Sequence, residues 1–217
     1  MRKILASFAI LLFIWPLGAA DYTKTQGTVL LAIQQIASNT VVKTSAQDVS
    51  SKMEATVFIF LGRDDTGGAL TAGCVFRVQG SAKSSGDDTW VDLAAFTSQL
   101  TLPEAEAVSG TEAAGATLIE VASTTNLVVG DYVLLKNTTI GNSEFARIVA
   151  VVINTSVTLT DGITNAQTGS TIYDQAEQYA ATISLASVGR IRLVADCSNT
   201  GKTVVVQAFM TTLDAIE

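Results

Sequence analysis

Residues 73–98 read GCVFRVQGSAKSSGDDTWVDLAAFTS, and this stretch decides the fold class. In GCVFRVQ, polar Arg77 and Gln79 alternate with apolar Phe76 and Val78, which is the two-residue period of a β-strand. A turn rich in Gly, Ser and Asp follows, and TWVDLAAF has the composition of a second strand. The stretch therefore predicts two antiparallel strands joined by an exposed turn.

Other runs in the chain have the length and the β-branched composition of strands. The N-terminal run GTVLLAIQQIA is ambiguous between helix and strand, although its Thr and Val content favours a strand. The clearest further runs are MEATVFIFL (53–61), QYAATISLAS (178–187), GRIRLVAD (189–196) and KTVVVQAFMTTL (202–213). In the third of these runs arginine alternates with isoleucine and leucine, which predicts one solvated sheet face.

Between these runs lies a compact block, residues 116–173, with five short strand-like segments at close spacing. This spacing is typical of a small barrel or a curled sheet. Residues 99–115 are rich in Ala and Glu and lack periodicity, which predicts a linker. The sequence therefore predicts an all-β protein in which residues 21–98 and 175–217 form a jelly-roll-like β-sandwich. A small β-barrel-like module is inserted in one of its loops, where an insertion costs little free energy.

Composition narrows the classes of function. The chain has 217 residues, 13 Lys and Arg against 20 Asp and Glu, a net charge of −7 and no His. Basic residues do not cluster, so we expect no nucleic-acid partner. The lack of His removes the commonest general base and metal ligand, which lowers the expectation of an enzyme.

Residues 1–20, MRKILASFAILLFIWPLGAA, have the three parts of a secretory signal, with cleavage expected before Asp21. An uncleaved anchor, which would be the only membrane contact, and an N-terminus packed in an assembly are the alternatives. Cys74 and Cys197 are the only cysteines. They could form a disulfide after export or remain small buried apolar residues, and the sequence leaves both open.

Acidic residues are the first candidate sites. Asp64-Asp65 and Asp87-Asp88 could bind Ca²⁺ through carboxylate oxygens, but their spacing lacks a known motif and favours turns. A set of three glutamates could in principle hydrolyse glycosides, yet it lies in the predicted linker, where solvated side chains are expected. These are Glu104, Glu106 and Glu112.

The remaining candidates also have structural explanations. Trp90 and Phe96 could bind a sugar or a partner, but we expect them to pack in the core. Gly201-Lys202-Thr203 resembles the end of a phosphate-binding loop, although the upstream glycine is absent. Asn137 and Asn154 begin glycosylation-type triplets that also suit strands and turns. Four glycines are predicted to mark turns, Gly110, Gly115, Gly130 and Gly141. No catalytic, cofactor-binding or metal-binding residue is therefore predicted.

Several segments resemble a group of virion structural proteins of tailed bacteriophages. The residues that carry this resemblance are FIFLGR (58–63), ALTAGCVFRVQGSAKSSGDDTWVDLAAFTS (69–98) and ISLASVGRIRLVADCSNTGKTVVVQAFMTTLDAI (183–216). The segment ATLIEVASTTNLVVGDYVLLKNTTIGNSEFARIVAVV (116–152) is similar to a small module of many phage particle proteins. The resemblance implies a capsid decoration, head-fibre or tail-associated subunit.

The sequence thus predicts a non-enzymatic structural protein of a virion that acts through contacts between subunits. Its partners would be copies of itself and neighbouring virion or surface proteins. The alternative is a secreted bacterial cell-surface binding or adhesive module, for which the signal-like N-terminus is the motive. A hydrolase that uses carboxylates without His is a third and weaker hypothesis.

Overall fold

A computed structural model of the chain describes residues 27–86 and 89–214, and it is all-β. The strands are numbered in chain order. The first set consists of β1 (Thr28–Ile36), β2 (Val41–Lys43), β3 (Gln47–Asp48), β4 (Lys52–Gly62), β5 (Val75–Ser81), β6 (Val91–Thr97), β15 (Glu177–Ser184), β16 (Arg190–Asp196) and β17 (Val204–Asp214).

A second set of strands lies between β6 and β15 in the sequence. It consists of β7 (Ala105–Ala107), β8 (Thr111–Glu112), β9 (Leu118–Glu120), β10 (Tyr132–Lys136), β11 (Glu144–Val152), β12 (Ser156–Leu159), β13 (Gln167–Thr168) and β14 (Thr171–Tyr173). A short 3₁₀ helix, Ile140–Asn142, connects β10 to β11. We call this second set the module.

The first set forms two antiparallel sheets with the strand order of a jelly roll. The central sheet has the order β1-β17-β4-β15, and the outer sheet has the order β2-β16-β5-β6 with β3 also pairing on β16. The chain crosses from one sheet to the other between β1 and β2, between β3 and β4 and between β4 and β5. It crosses again from β6 through the module to β15, and at each step from β15 to β17. This alternation is the double Greek key of jelly rolls, and it confirms the predicted β-sandwich.

The facing sides of the two sheets enclose the main core. In β4, alternate residues Ala55, Val57, Ile59 and Leu61 are fully buried, as the strand period requires. They pack in one cluster with Phe76 and other residues of the outer sheet. The ambiguous N-terminal run is the strand β1, because its apolar residues complete this cluster rather than one face of a helix.

The module is a six-stranded curled sheet of order β7-β14-β10-β11-β12-β9, accompanied by the two-stranded pair β8-β13. Its own core includes Val133, Leu135, Ile148 and Ile172. Residues 99–115, predicted as a linker, instead contain β7 and β8, which pair with β14 and β13. Strands of three and two residues are too short to show an alternating pattern, so they cannot be recognised from the sequence.

The module covers the second face of the central sheet. Phe60 and Phe209 of that sheet pack with Leu134 and Phe145 of the module. The rings of Phe60 and Phe145 are stacked with centroids 5.9 Å apart. Much of the central sheet is therefore buried on both faces, which explains why β4 and β17 are nearly continuous apolar runs rather than alternating ones.

Cys74 and Cys197 form a disulfide across neighbouring strands of the outer sheet. Cys74 precedes β5 and Cys197 follows β16, and the pairing of Val75 with Asp196 places the two cysteines opposite each other. Their Cα atoms are 4.4 Å apart, as expected for an antiparallel pair without direct hydrogen bonds. Of the two alternatives for these residues, the structure has the disulfide.

We predict that removal of this disulfide lowers the free energy of unfolding. The cysteines are 123 residues apart in sequence, and closing a loop of that size is worth about 5 kcal/mol in the chain-entropy model. Denaturant unfolding should be measured with and without reductant, and the Cys74→Ala/Cys197→Ala double variant is the control. Reductant should destabilise the wild type and leave the double variant unchanged. An equal response of both proteins would contradict the prediction.

Candidate functional site

Asp64 and Asp65, considered above as turn or Ca²⁺ residues, are held by cations of the protein itself. The Asp64 carboxylate is 2.7 Å from the Lys136 ammonium of the module and also accepts a hydrogen bond from Gln35. Asp65 accepts a hydrogen bond from the backbone N–H of Gly67 at 3.1 Å, which is a turn contact. Both carboxylates therefore have a structural role at the end of β4.

Arg63 is the partner of Asp65 and is almost fully buried. Its Nη2 lies 2.6 Å from Asp65 Oδ1 and 2.7 Å from the carbonyl oxygen of Gly68. Its Nη1 donates at 3.4 Å to the carbonyl oxygen of Thr101, while Nε is buried without a partner. The guanidinium thus joins the loop after β4 to the segment in which the chain enters the module.

Trp90 does not enter the core, which corrects the sequence prediction. It is half-buried, and the guanidinium carbons of Arg192 and Arg190 lie 4.0 Å and 5.2 Å from its ring centroid. Arg190 also donates to the carbonyl oxygens of Lys83 and Gly86. Cation–π attraction and these hydrogen bonds hold the β5–β6 loop over the polar face of the outer sheet, a pairing that sequence spacing could not reveal.

Phe96, the other aromatic candidate, packs against the core as predicted and contacts Tyr179 with ring centroids 5.3 Å apart. Asp87 and Asp88 lie outside the described residues, as do residues 1–20. The turn or metal interpretation of that pair and the signal sequence therefore stay predictions.

The three glutamates of the predicted linker lie on different elements. Glu106 is in β7 and pairs with Ile172 of β14, whereas Glu112 is in β8 and accepts a hydrogen bond from the backbone N–H of Glu120 at 2.8 Å. Glu104 precedes β7 and is exposed. Each glutamate contributes to local pairing or is solvated, and the structure does not bring the three together in one polar cluster.

The segment Gly201-Lys202-Thr203 is a tight turn before β17. Gly201 has φ = 69°, and an added Cβ would lie 2.6 Å from the hydroxyl of Thr71, so glycine is required there. The backbone N–H of Lys202 donates to the hydroxyl of the buried Thr200 at 3.4 Å. This N–H is therefore used inside the turn rather than offered to a phosphate group.

A buried polar network stiffens the module beside the 3₁₀ helix. The Glu144 carboxylate accepts hydrogen bonds from the backbone N–H groups of Thr164 at 2.8 Å and Asn165 at 2.9 Å. Asn137, which begins a glycosylation-type triplet, is buried and donates to Gln167 at 3.1 Å. The network ties two loops of the module together, so these polar residues are structural.

Large apolar side chains are exposed on two segments of the module that are hydrogen-bonded to each other through Gly130, Asp131 and Ile148. Of the twelve that are exposed in the described residues, five lie in two adjoining segments, 128–131 and 148–155. We call these five residues the apolar tip, and they are Val128, Val129, Val149, Val152 and Ile153. Ile153 is 81% exposed at the apex of the β11–β12 hairpin, which is unusual for an isoleucine.

The first segment of the apolar tip is held in place by polar contacts. Asp131 accepts a hydrogen bond from the backbone N–H of Val128 at 3.1 Å, and Gly130 takes a left-handed conformation with φ = 103°. Gly130 donates to the carbonyl oxygen of Ile148 at 2.8 Å, while Arg147 Nε donates to the carbonyl oxygen of Gly130 at 3.2 Å. The turn is therefore fixed against β11.

The second segment is equally constrained. Asn154 has φ = 53°, and its backbone N–H donates to the buried Thr124 hydroxyl at 2.9 Å. The backbone N–H of Thr155 donates to the carbonyl oxygen of Val152 at 3.0 Å. Both segments thus present apolar side chains from ordered backbone, and a partner that binds them loses little loop entropy.

One pattern in the sequence could have located the apolar tip. Val128-Val129 stand directly before Gly130-Asp131, and Val152-Ile153 stand directly before Asn154. Pairs of β-branched residues beside turn formers occupy positions where polar residues are expected, so they suggest a contact surface.

Comparison with known proteins found no family model that matches the chain and no curated protein similar to it. In residues 27–86 and 89–214, no group of three or more His, Cys, Asp or Glu side chains could hold a metal ion. Over the same residues, no helix is long and apolar enough to cross a membrane.

We predict that Lys136→Met destabilises the fold through Asp64, because the carboxylate of Asp64 is 6% exposed and would lose its cation. The expected loss is about 1–3 kcal/mol. Arg77→Met is the matched control, since the Arg77 side chain is 35% exposed and its ion pairs with Asp196 and Asp92 are 3.6 Å and 3.7 Å long. This substitution should lower the free energy of unfolding by less than about 1 kcal/mol.

Denaturant unfolding of both variants measures the two losses. The Asp64→Asn/Lys136→Met double variant should recover part of the first loss, because it leaves no uncompensated carboxylate. Equal losses of stability for Lys136→Met and Arg77→Met would contradict the prediction. The contact between the module and the sandwich would then not depend on the ion pair between Lys136 and Asp64.

We also predict a loss of stability at alkaline pH that depends on Tyr179. Burial, together with the hydrogen bond from its hydroxyl to Glu177 at 2.9 Å, raises the pKa of Tyr179 to about 12 from 10.0. Because the pKa is higher in the folded state, the contribution is full below pH 10 and is lost as the pH rises towards 12. Tyr179→Phe should flatten stability over this range.

Unfolding should be measured at several pH values between 8 and about 12, with tyrosinate absorbance followed in parallel. In Tyr179→Phe the ionisation step at the highest pH should be lost. Loss of an ionisation step near pH 10.0 instead would mean that the pKa of Tyr179 is not raised, and it would contradict the prediction.

Proposed function

We propose that this protein is a non-enzymatic structural subunit of a phage-type particle, as a capsid decoration or a tail- or fibre-associated protein. In this role the sandwich is a rigid body, and the module contacts neighbouring subunits through the apolar tip. The jelly roll is used by viral capsid proteins, although lectins and other proteins share it, so the fold supports the proposal without deciding it.

The observation that carries the proposal is the exposure of the apolar tip on ordered backbone. Exposed apolar groups cost free energy in a free subunit and mark surfaces that are covered in an assembly. The tip also lies on a module with few cations. Residues 116–173 contain two basic residues against four acidic ones, Lys136 and Arg147 against Glu120, Asp131, Glu144 and Asp161. Because the module has more acidic than basic residues, a protein partner is favoured over an anionic membrane or a nucleic acid.

The second candidate function is a secreted cell-surface binding module. The Cys74–Cys197 disulfide favours it, because disulfides persist in oxidising compartments. Under this proposal the apolar tip would face the cell surface. The two candidates differ in where the protein is found and in whether residues 1–20 are removed.

The test measures how much of the full chain is incorporated into phage-type particles that are released by cells producing this protein. We expect Ile153→Asp to lower incorporation at least about tenfold, because a buried carboxylate would replace an apolar contact. Val91→Asp is the matched control, since Val91 is 65% exposed but lies on β6 of the sandwich. It should be incorporated like the wild type.

Circular dichroism and thermal unfolding establish that both variants are folded. Equal incorporation of Ile153→Asp and the wild type would overturn the role of the tip. Absence of the wild type from particles, together with a mature mass that begins at Asp21 in the medium, would favour the secreted module.

A further inference from the structure

Strand β15 forms one edge of the central sheet. Among the described residues it pairs only with β4, and the register runs without a shift from Glu177–Leu61 to Ser184–Glu54. Such an edge offers a row of free backbone N–H and C=O groups to another chain. Folded proteins usually protect these edges with bulges, charges, prolines or very short strands.

The other sandwich edges carry such protection. Edge strand β1 has two register shifts in its pairing with β17, and β6 has one in its pairing with β5. On the remaining edge, β2 and β3 have only three and two residues. By contrast, β15 has eight residues, no proline and no charged side chain after Glu177. It is the long, flat and nearly neutral edge of this sandwich.

The direction of the free groups can be derived from one hydrogen bond. The backbone N–H of Leu185, directly after β15, donates to the carbonyl oxygen of Met53 at 2.9 Å. Along an antiparallel ladder, hydrogen-bonded pairs alternate with pairs that are not hydrogen-bonded. The odd-numbered residues of β15 therefore form backbone hydrogen bonds with β4, and the even-numbered residues direct their N–H and C=O groups to the free edge. The edge-facing residues are Gln178, Ala180, Thr182 and Ser184.

We propose that β15 pairs antiparallel with β15 of a second copy of this chain, about a two-fold axis at Ala181. In this register Gln178 lies opposite Ser184, and Ala180 lies opposite Thr182, so every edge-facing residue has a partner. The small Ala181 side chains meet at the axis. The two copies of Glu177 are far apart along the strands, so no like charges face each other.

The same register is compatible with the core. Tyr179 and Ile183 belong to the face that packs against the outer sheet, and the two-fold axis places them opposite each other on that face. The joined central sheets would be continuous, with apolar residues inside in both copies. An isologous contact of this kind needs no other chain. This inference deepens the proposed assembly function by naming a surface and a partner.

The test uses the purified full chain and two variants of Ala180, an exposed residue. Ala180→Pro removes an edge-facing N–H without touching the β4 ladder, and Ala180→Lys adds a charge to the edge. Sedimentation velocity should show a dimer whose dissociation constant rises about tenfold or more in each variant. Ala32→Lys is the matched control, because Ala32 is exposed on β1, the other edge of the same sheet. It should remain dimeric.

Hydrogen exchange at single-residue resolution gives an independent readout in the wild type. In the dimer the amides of the even-numbered residues should be protected, and dilution should expose them. Those of the odd-numbered residues should be protected at all concentrations.

Three outcomes would overturn the proposal. One is a wild type that is monomeric at all concentrations with fast exchange at the even-numbered amides. Another is protection of these amides in a monomer, which would mean that another segment of the chain covers β15. The third is a dimer that both Ala180 variants leave intact, which would place the contact elsewhere. In each case the tip experiment decides the proposed function separately, since it tests a different surface.

Discussion

The burial of the central sheet on both faces is the constraint on which the rest of the structure depends. One face packs against the outer sheet, and the other holds Phe60 and Phe209 against Leu134 and Phe145 of the module. Without the module these aromatic rings would be exposed, and the free energy gained by covering them holds the module in one orientation. An insertion that could otherwise move on its connections thereby becomes part of a three-layer body.

Polar contacts at the margin of this apolar interface give it a definite register. Asp64 at the end of β4 meets Lys136 of the module, while the buried Arg63 joins the following loop to Thr101. Apolar packing alone tolerates small displacements, whereas a carboxylate removed from water requires its cation at one position. Asp64 and Asp65, the carboxylates considered as Ca²⁺ ligands from the sequence, thus help to position the module.

A fixed module explains how the apolar tip could serve an assembly. The tip is held by Asp131, Arg147 and Asn154, and these turns are anchored on a sheet that is itself fixed to the sandwich. The jelly roll leaves one long and regular edge at β15, while bulges or short strands interrupt the others. The tip and the β15 edge consist of different residues, so a subunit with both could contact two kinds of neighbour.

The sequence by itself determined the all-β class and the approximate strands, because the two-residue alternation and the turn residues are local properties of the chain. It did not determine the places of Trp90 and of the segment 99–115. Trp90 lies under Arg190 and Arg192, which are about a hundred residues away in the sequence, and β7 exists only because β14 is beside it. The disulfide was one of two possibilities until the register of β5 and β16 placed the cysteines opposite each other. Only the tertiary structure decided these points, because each depends on which distant strands become neighbours, and local patterns in the sequence do not specify that.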